Sequence, residues 1–290
     1  MRYLIGLSVM LAILSCEDCD DKCNKEMKKE MSLQLYSFRK DIKENYDTTI
    51  KKTAEIGFTS VEAAGYSNGK FYGKTPAEFR RDVENAGMSV LSSHATKGLS
   101  EKELKSKDFS ESLLWWDLCI EAHKDAGAKY IVIPSMDVPK TLEELQTVCD
   151  YYNEIGRRCK EKGLSLGYHN HEFEFVEIEG AMMYDYLIEH TNPEYLFFQM
   201  DVYWTVMGQQ SPVDYFHKYP GRFEHLHIKD NKELGQSGMV GFDAIFRNTD
   251  VAGTKYLIVE VEKYNFTPFE SVKKSLDYLL KCPLVKKSYR

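Results

Sequence analysis

The chain has 290 residues, 43% of them hydrophobic and 29% charged, with a net charge of −7. That composition excludes a disordered or fibrous protein, and the length holds one barrel-type domain of roughly 250 residues with a large core. The negative charge is dispersed and includes no basic block, which excludes nucleic acid as a partner.

Met1-Arg2-Tyr3 is a short basic start, and the apolar stretch over residues 4–14 is too short to span a bilayer. The run Ile13-Leu14-Ser15-Cys16 resembles a bacterial lipobox, whose cysteine is diacylated and becomes the first residue of the mature protein. The resemblance implies a signal peptide over residues 1–15, lipidation of Cys16, and an exported lipoprotein that meets the membrane only through its anchor. An ordinary secretory signal or a buried N-terminal strand is the other reading. Residues 16–30 turn from acidic to polar and suit a flexible tether. Export permits disulfides, so Cys19 and Cys23 are a candidate pair. Cys119, Cys149 and Cys159 fall in helical patterns and read as small buried hydrophobes.

Over residues 31–290, short apolar runs alternate with longer amphipathic stretches, the rhythm of parallel strands joined by covering helices. Strands are predicted at 32–38, 60–64, 89–94, 130–135, 164–171, 196–203, 223–229 and 256–262, each followed by a helical segment. Eight such units close a barrel, so the predicted fold is α/β, a single-domain (β/α)8 TIM barrel. Gly57, Gly87, Gly127, Gly163 and Gly253 fall where a helix ends, while Thr75-Pro76 and Thr141-Leu142-Glu143-Glu144 read as N-caps.

Barrels of this kind gather their reactive groups at the C-terminal ends of the strands. The predicted strand ends carry Glu62, His94, His169, His171, Asp201, His225, His227, Glu260 and Glu262, side chains that an apolar core rejects. Residues two apart share a face, so both members of a pair can point into the barrel, and the member nearer the C-terminal end lies closer to the rim; this favours His227 over His225. Imidazoles and carboxylates from four successive strands suit a divalent cation, Mn, Zn, Co or Mg. Carboxylates offset its charge, imidazole supplies a borderline-soft nitrogen, and open positions take water or substrate oxygens.

Four motifs stand in order at the ends of the fifth to eighth predicted strands. They are Tyr168-His169-Asn170-His171-Glu172-Phe173-Glu174-Phe175, Asp201-Val202-Tyr203-Trp204, His225-Leu226-His227-Ile228-Lys229-Asp230 and Ile258-Val259-Glu260. Together they resemble the xylose-isomerase-like sugar isomerase/epimerase superfamily over nearly the whole barrel. In that family a Glu, an Asp, a His and a Glu on these strands hold the metal, which implies Asp201, His227 and Glu260 as ligands. At the strand-five position a His-Asn-His run replaces the family's Glu, with His169 the first substitute ligand and His171 the second. Exchanging carboxylate for imidazole removes a negative charge and tilts the preference from Mg toward Zn, Mn or Co. The superfamily also contains AP endonucleases, whose trinuclear zinc site needs a second His three residues after the strand-six Asp. Trp204 occupies that position here, which argues against DNA repair.

The resemblance implies proton removal next to the carbonyl of a sugar, leading to isomerisation or epimerisation, with elimination by a keto-sugar or 3-keto-glycoside lyase or dehydratase as the alternative. With export expected and no Gly-rich phosphate cradle present, the expected substrate is a non-phosphorylated sugar or keto-sugar. Glu260 is expected to be both ligand and base, with Glu174 or His94 as the partner acid or base. Lys229 is expected to contact a hydroxyl or oxyanion, or else to pair with Asp230 or Glu262. Glu62, Tyr36, His171 and Trp204 are expected to contact substrate, aromatic faces by stacking on the sugar. For Glu62 and His94 the other reading is a rim hydrogen bond or salt bridge. From a different class comes a lipoprotein that captures carbohydrate without turning it over.

Overall fold

Eight parallel strands close on themselves, each paired with its neighbours in sequence and the last with the first, as the computed structural model of residues 29–289 shows. They are β1 (Ser32–Gln34), β2 (Ser60–Ala63), β3 (Ser89–His94), β4 (Tyr130–Ile133), β5 (Ser165–His169), β6 (Leu196–Asp201), β7 (His225–Ile228) and β8 (Tyr256–Val259). The main covering helices are α1 (Tyr46–Ile56), α2 (Pro76–Asn85), α3 (Ser110–Asp125), α4 (Leu142–Glu161), α5 (Met183–His190), α6 (Pro212–Lys218), α7 (Phe242–Arg247) and α8 (Pro268–Lys281). This is the predicted single (β/α)8 barrel. The expected signal peptide, Cys16, and Cys19 and Cys23 of the tether lie outside the described residues. Lys29, near the expected tether's end, is docked: its Nζ donates to the carbonyls of Leu279 (3.0 Å) and Cys282 (2.6 Å). Among the described residues no helix is long and apolar enough to cross a membrane.

Alternation sorts the strand residues. Leu226, Leu257 and Val259 join the apolar core beneath the helices, while their neighbours turn inward. At the N-terminal end of the barrel the interior is an aromatic plug. The His225 ring lies 4.3 Å from Tyr130, 4.5 Å from Phe197 and 5.2 Å from Tyr256, centroid to centroid. Gly167 makes room for it, because a Cβ there would meet the Phe197 ring at 2.4 Å. Above the plug the interior becomes polar.

Several strands end earlier than predicted, for one reason: a polar side chain takes the amide that the ladder would have used. Gln34 Oε1 accepts from the Tyr36 N–H (3.0 Å) and turns the chain into the 3-10 helix Leu35–Phe38. Asp201 accepts from the Trp204 N–H (2.9 Å) and starts the helix Val202–Met207, and the His171 N–H turns to Glu174 (2.8 Å). Apolar runs do not reveal these stops. The predicted N-caps are present, Thr75 in a capping box with Glu78 and Thr141 accepting from the Glu144 N–H. Cys119, Cys149 and Cys159 are buried free thiols, as expected.

Gly253 carries φ +78°, and a Cβ there would stand 2.7 Å from the Gly221 Cα, whereas Gly163 at φ +81° faces open space. Gly163→Ala should therefore cost only the left-handed strain, ~1–2 kcal/mol, and Gly253→Ala distinctly more. Urea unfolding of the two variants checks this, and equal losses would contradict it.

Candidate metal centre and active site

Inward positions on β6 and β7, and the residue directly after β8, bring Asp201, His227 and Glu260 together. His227 Nδ1 stands 3.8 Å from Asp201 Oδ2 and 3.7 Å from Glu260 Oε2, too far for hydrogen bonds. Two of the three atoms, His227 Nδ1 and Asp201 Oδ2, are buried without a hydrogen-bond partner. Donors around a divalent ion at ~2.1 Å lie roughly 3.0–3.6 Å apart, so the spacing and the unpartnered atoms both fit a metal.

The electrostatics agree. Burial pushes the Asp201 carboxyl up to about 7. Burial alone would lower His227, yet the carboxylates of Glu260 and Glu62 push it up to about 10. This spot demands positive charge, and a divalent ion competes with the proton for the same nitrogen. Glu260 is held well below the usual carboxylate range by Lys229 and His227 although its burial acts the other way.

His169 is buried, with Nδ1 3.2 Å from Gln199 Oε1, and burial depresses its basicity strongly. It belongs with His94 and His227 to a second group of neighbouring donor atoms. His171 belongs to neither group; its ring stacks on Phe173 at 5.5 Å and lies tilted 5.7 Å from Trp204, and burial lowers it to about 4.

Beneath the centre lies Glu62, with no exposed surface. Its Oε1 faces His227 Nε2 (2.7 Å), Gln34 Nε2 (2.9 Å) and His94 Nε2 (3.1 Å). Its Oε2 accepts from Ser92 Oγ (2.6 Å) and Gln199 Nε2 (2.8 Å). No lone pair is left for a substrate hydroxyl, which corrects the substrate-contact expectation in favour of the salt-bridge reading. Glu174 is likewise enclosed, accepting from the Tyr168 hydroxyl (2.7 Å) and the His171 N–H, and burial raises it to about 7. It pins the loop after β5, and both of its oxygens are engaged there, which argues against a role as acid or base. Gln199 escaped the sequence reading because it carries no charge, although alternation from Asp201 puts it on the same inward face.

At the rim, Lys229 donates to Glu260 (2.9 Å) and to Glu262, and stands 5.1 Å over the Trp204 ring. Asp230 instead caps its own loop, accepting from the Gly235 N–H (3.0 Å) and the Ser237 hydroxyl. Tyr36 is 43% exposed beside Arg39, available for stacking at the mouth. The His94 side chain is 12% exposed, enough for one edge to face the cavity.

A (β/α)8 barrel with this carboxylate and imidazole centre defines a class, and comparison with known proteins agrees with it. Residues 50–282 match the xylose isomerase-like TIM barrel family, and the chain belongs to it. It is 23% identical over 275 residues to the inosose dehydratase of Bacillus cereus (strain AH820), spanning 81% of this chain and 88% of that one. To the inosose dehydratase of Geobacillus kaustophilus (strain HTA426) it is 24% identical over 200 residues, 63% of this chain and 61% of that one. A crystal structure named sugar phosphate isomerase/epimerase, from Parabacteroides distasonis ATCC 8503, superposes with TM-score 0.82 at 34% identity, covering 89% and 100% of the two chains.

The wild type should take up roughly one divalent ion per chain, and Asp201→Ala, His227→Ala and Glu260→Ala should each lose it, by metal analysis after gel filtration. An Asp201→Ala variant that keeps its metal would contradict the assignment.

Proposed function

We propose that the protein is a divalent-metal-dependent isomerase or epimerase of a non-phosphorylated sugar or keto-sugar, acting by proton removal next to a carbonyl. The observation that carries this is the group Asp201 Oδ2, His227 Nδ1 and Glu260 Oε2, two of them buried and unpartnered, set beside Lys229. Asp201, His227 and Glu260 would hold a divalent ion, Mn, Zn, Co or Mg, which would supply Lewis-acid chemistry to a substrate carbonyl. His169 is the fourth candidate ligand.

The chain's own groups divide the remaining work. Glu260 is the candidate base that receives the proton from carbon. Lys229, bonded to Glu260 and Glu262, keeps one N–H for a hydroxyl or for the developing oxyanion. His94 is the candidate for returning a proton from the other wall of the barrel, the role that the enclosed Glu174 cannot fill. Return to the opposite face of the same carbon is epimerisation, and return to the former carbonyl carbon is isomerisation. Trp204 and Tyr36 offer ring faces to the sugar, and His171 lines the same wall.

Two observations support a substrate without phosphate. The cation nearest the centre, Lys229, is engaged by two carboxylates, and the Arg39 guanidinium donates to the carbonyls of Tyr36 (3.3 Å) and Glu262 (2.9 Å) and to the Tyr264 hydroxyl (3.1 Å). Asp201, Glu260 and Glu262 add like charge that repels a dianion. The lipobox-like run at Cys16 supports the same choice, since an exported lipoprotein would work away from sugar phosphates.

The dehydratase reading has its own support in the inosose dehydratases to which the chain is similar. It shares the first step, after which a hydroxyl one carbon farther away leaves as water.

In deuterium oxide, the metal-loaded protein should wash deuterium into a keto-sugar substrate, and Glu260→Gln should slow the exchange by roughly 10²–10⁴-fold without losing the fold. Exchange that survives the substitution removes Glu260 as the base. Tight binding with no exchange for any keto-sugar favours the carbohydrate-capturing lipoprotein instead. For the anchor, mass spectrometry of protein taken from membranes should show an acylated Cys16 as first residue, and Cys16→Ser should release the chain into the soluble fraction; unmodified Cys16 would refute the anchor.

A further inference from the structure

The hydrogen bonds under the metal centre can be assigned one by one, starting from a donor that admits no ambiguity. The Tyr36 backbone N–H donates to Gln34 Oε1 (3.0 Å), so the other end of that amide, Nε2, is the atom donating to Glu62 Oε1. Ser92 Oγ and an amide nitrogen of Gln199 reach Oε2. With donors on both oxygens Glu62 is an acceptor only, so Gln199 presents Nε2 to it and Oε1 to the opposite side. That Oε1 lies 3.2 Å from His169 Nδ1 and 3.2 Å from His94 Nε2, and both ring nitrogens must donate to it. Likewise His227 Nε2, 2.7 Å from Glu62, must carry a proton.

We infer that Glu62 and Gln199 form a positioning pair that sets the tautomers of His227, His169 and His94 together. His227 then offers its Nδ1 lone pair toward Asp201 and Glu260, and His169 offers Nε2. His94, its Nε2–H shared between Glu62 and Gln199, keeps the lone pair on Nδ1, so that nitrogen must first take up the proton that His94 returns. The opposite tautomer at His227 would aim a hydrogen at the metal position and leave Glu62 short of a donor at the bottom of the barrel. Carboxylates and amides that fix a ligand imidazole in this way are worth about 10–100-fold in metal affinity. Glu62 itself touches neither metal nor substrate. It acts through His227, and Gln199 extends its reach across the barrel from β2 to β5.

This inference rests on the metal centre proposed above, and one experiment separates the two. Zinc is titrated into the full chain with ¹⁵N-labelled histidine, and the ring nitrogens are read by long-range ¹H–¹⁵N correlation. The expected spectrum has His227 metal-bound at Nδ1 and protonated at Nε2, and both His169 and His94 in the tautomers named. Glu62→Gln should bind zinc about 10–100-fold more weakly and show a second His227 tautomer. If the wild type binds no zinc, the centre itself falls and the inference with it. If zinc binds but His227 coordinates through Nε2, or Glu62→Gln binds zinc as tightly with an unchanged histidine spectrum, the centre stands and the inference is overturned. The wild-type spectrum decides even if the variant does not fold.

Discussion

A carboxylate without any contact to water, Glu62, sits at the middle of the barrel, and the rest of the site is arranged around satisfying it. An ionised carboxyl in that position costs several kcal/mol unless every lone pair is met. The donors come from β1, β3, β6 and β7, in Gln34, Ser92, His94, Gln199 and His227. Only closure of the barrel brings those strands within reach of one another, so the fold and the charge depend on each other. One histidine of the Glu62 shell, His227, also turns its remaining nitrogen, Nδ1, toward Asp201 and Glu260 above. A change at the base of the network would therefore be felt at the proposed metal position.

The interior is layered along the barrel axis. The aromatic plug around His225 closes the N-terminal end, the Glu62–Gln199 plate lies over it, and Asp201, His227, Glu260 and Lys229 form the layer nearest the rim. Each layer follows from residues two apart on neighbouring strands, as in His225, His227 and Lys229 on and just after β7. The layering sets the chemistry as well. A cation is attracted where carboxylates outnumber ammonium groups, and a proton acceptor is available where an imidazole edge meets the cavity. A metal held in such a centre would suit reactions that begin by loosening a proton beside a carbonyl, and the proteins to which the chain is similar carry isomerase/epimerase and dehydratase names.

Much of this was legible in the chain. The eight-unit rhythm located every strand, and the family-like motifs after 168, 201, 225 and 258 led to Asp201, His227 and Glu260, which the fold brings together. What the sequence hid were contacts that depend on closure. Glu62 and Glu174 looked like site carboxylates because they lie at or near strand ends, and their enclosure is visible only once Gln199, Ser92, Tyr168 and the His171 amide are set against them. Gln199 carried no signal of its own beyond its parity with Asp201. Strand ends were overrun at Gln34, His169 and Asp201 because an apolar run continues through a turn as readily as along a strand, and two of the side chains that end them, Asp201 and Glu174, read as site residues first.

The most direct measurement is anomalous diffraction at the metal edge from crystals grown with zinc or manganese. The account predicts one strong peak enclosed by His227 Nδ1, Asp201 and Glu260. A peak instead between His94, His169 and the Nε2 side of His227, with Glu62 drawn into coordination, or no peak anywhere in the barrel, would contradict it.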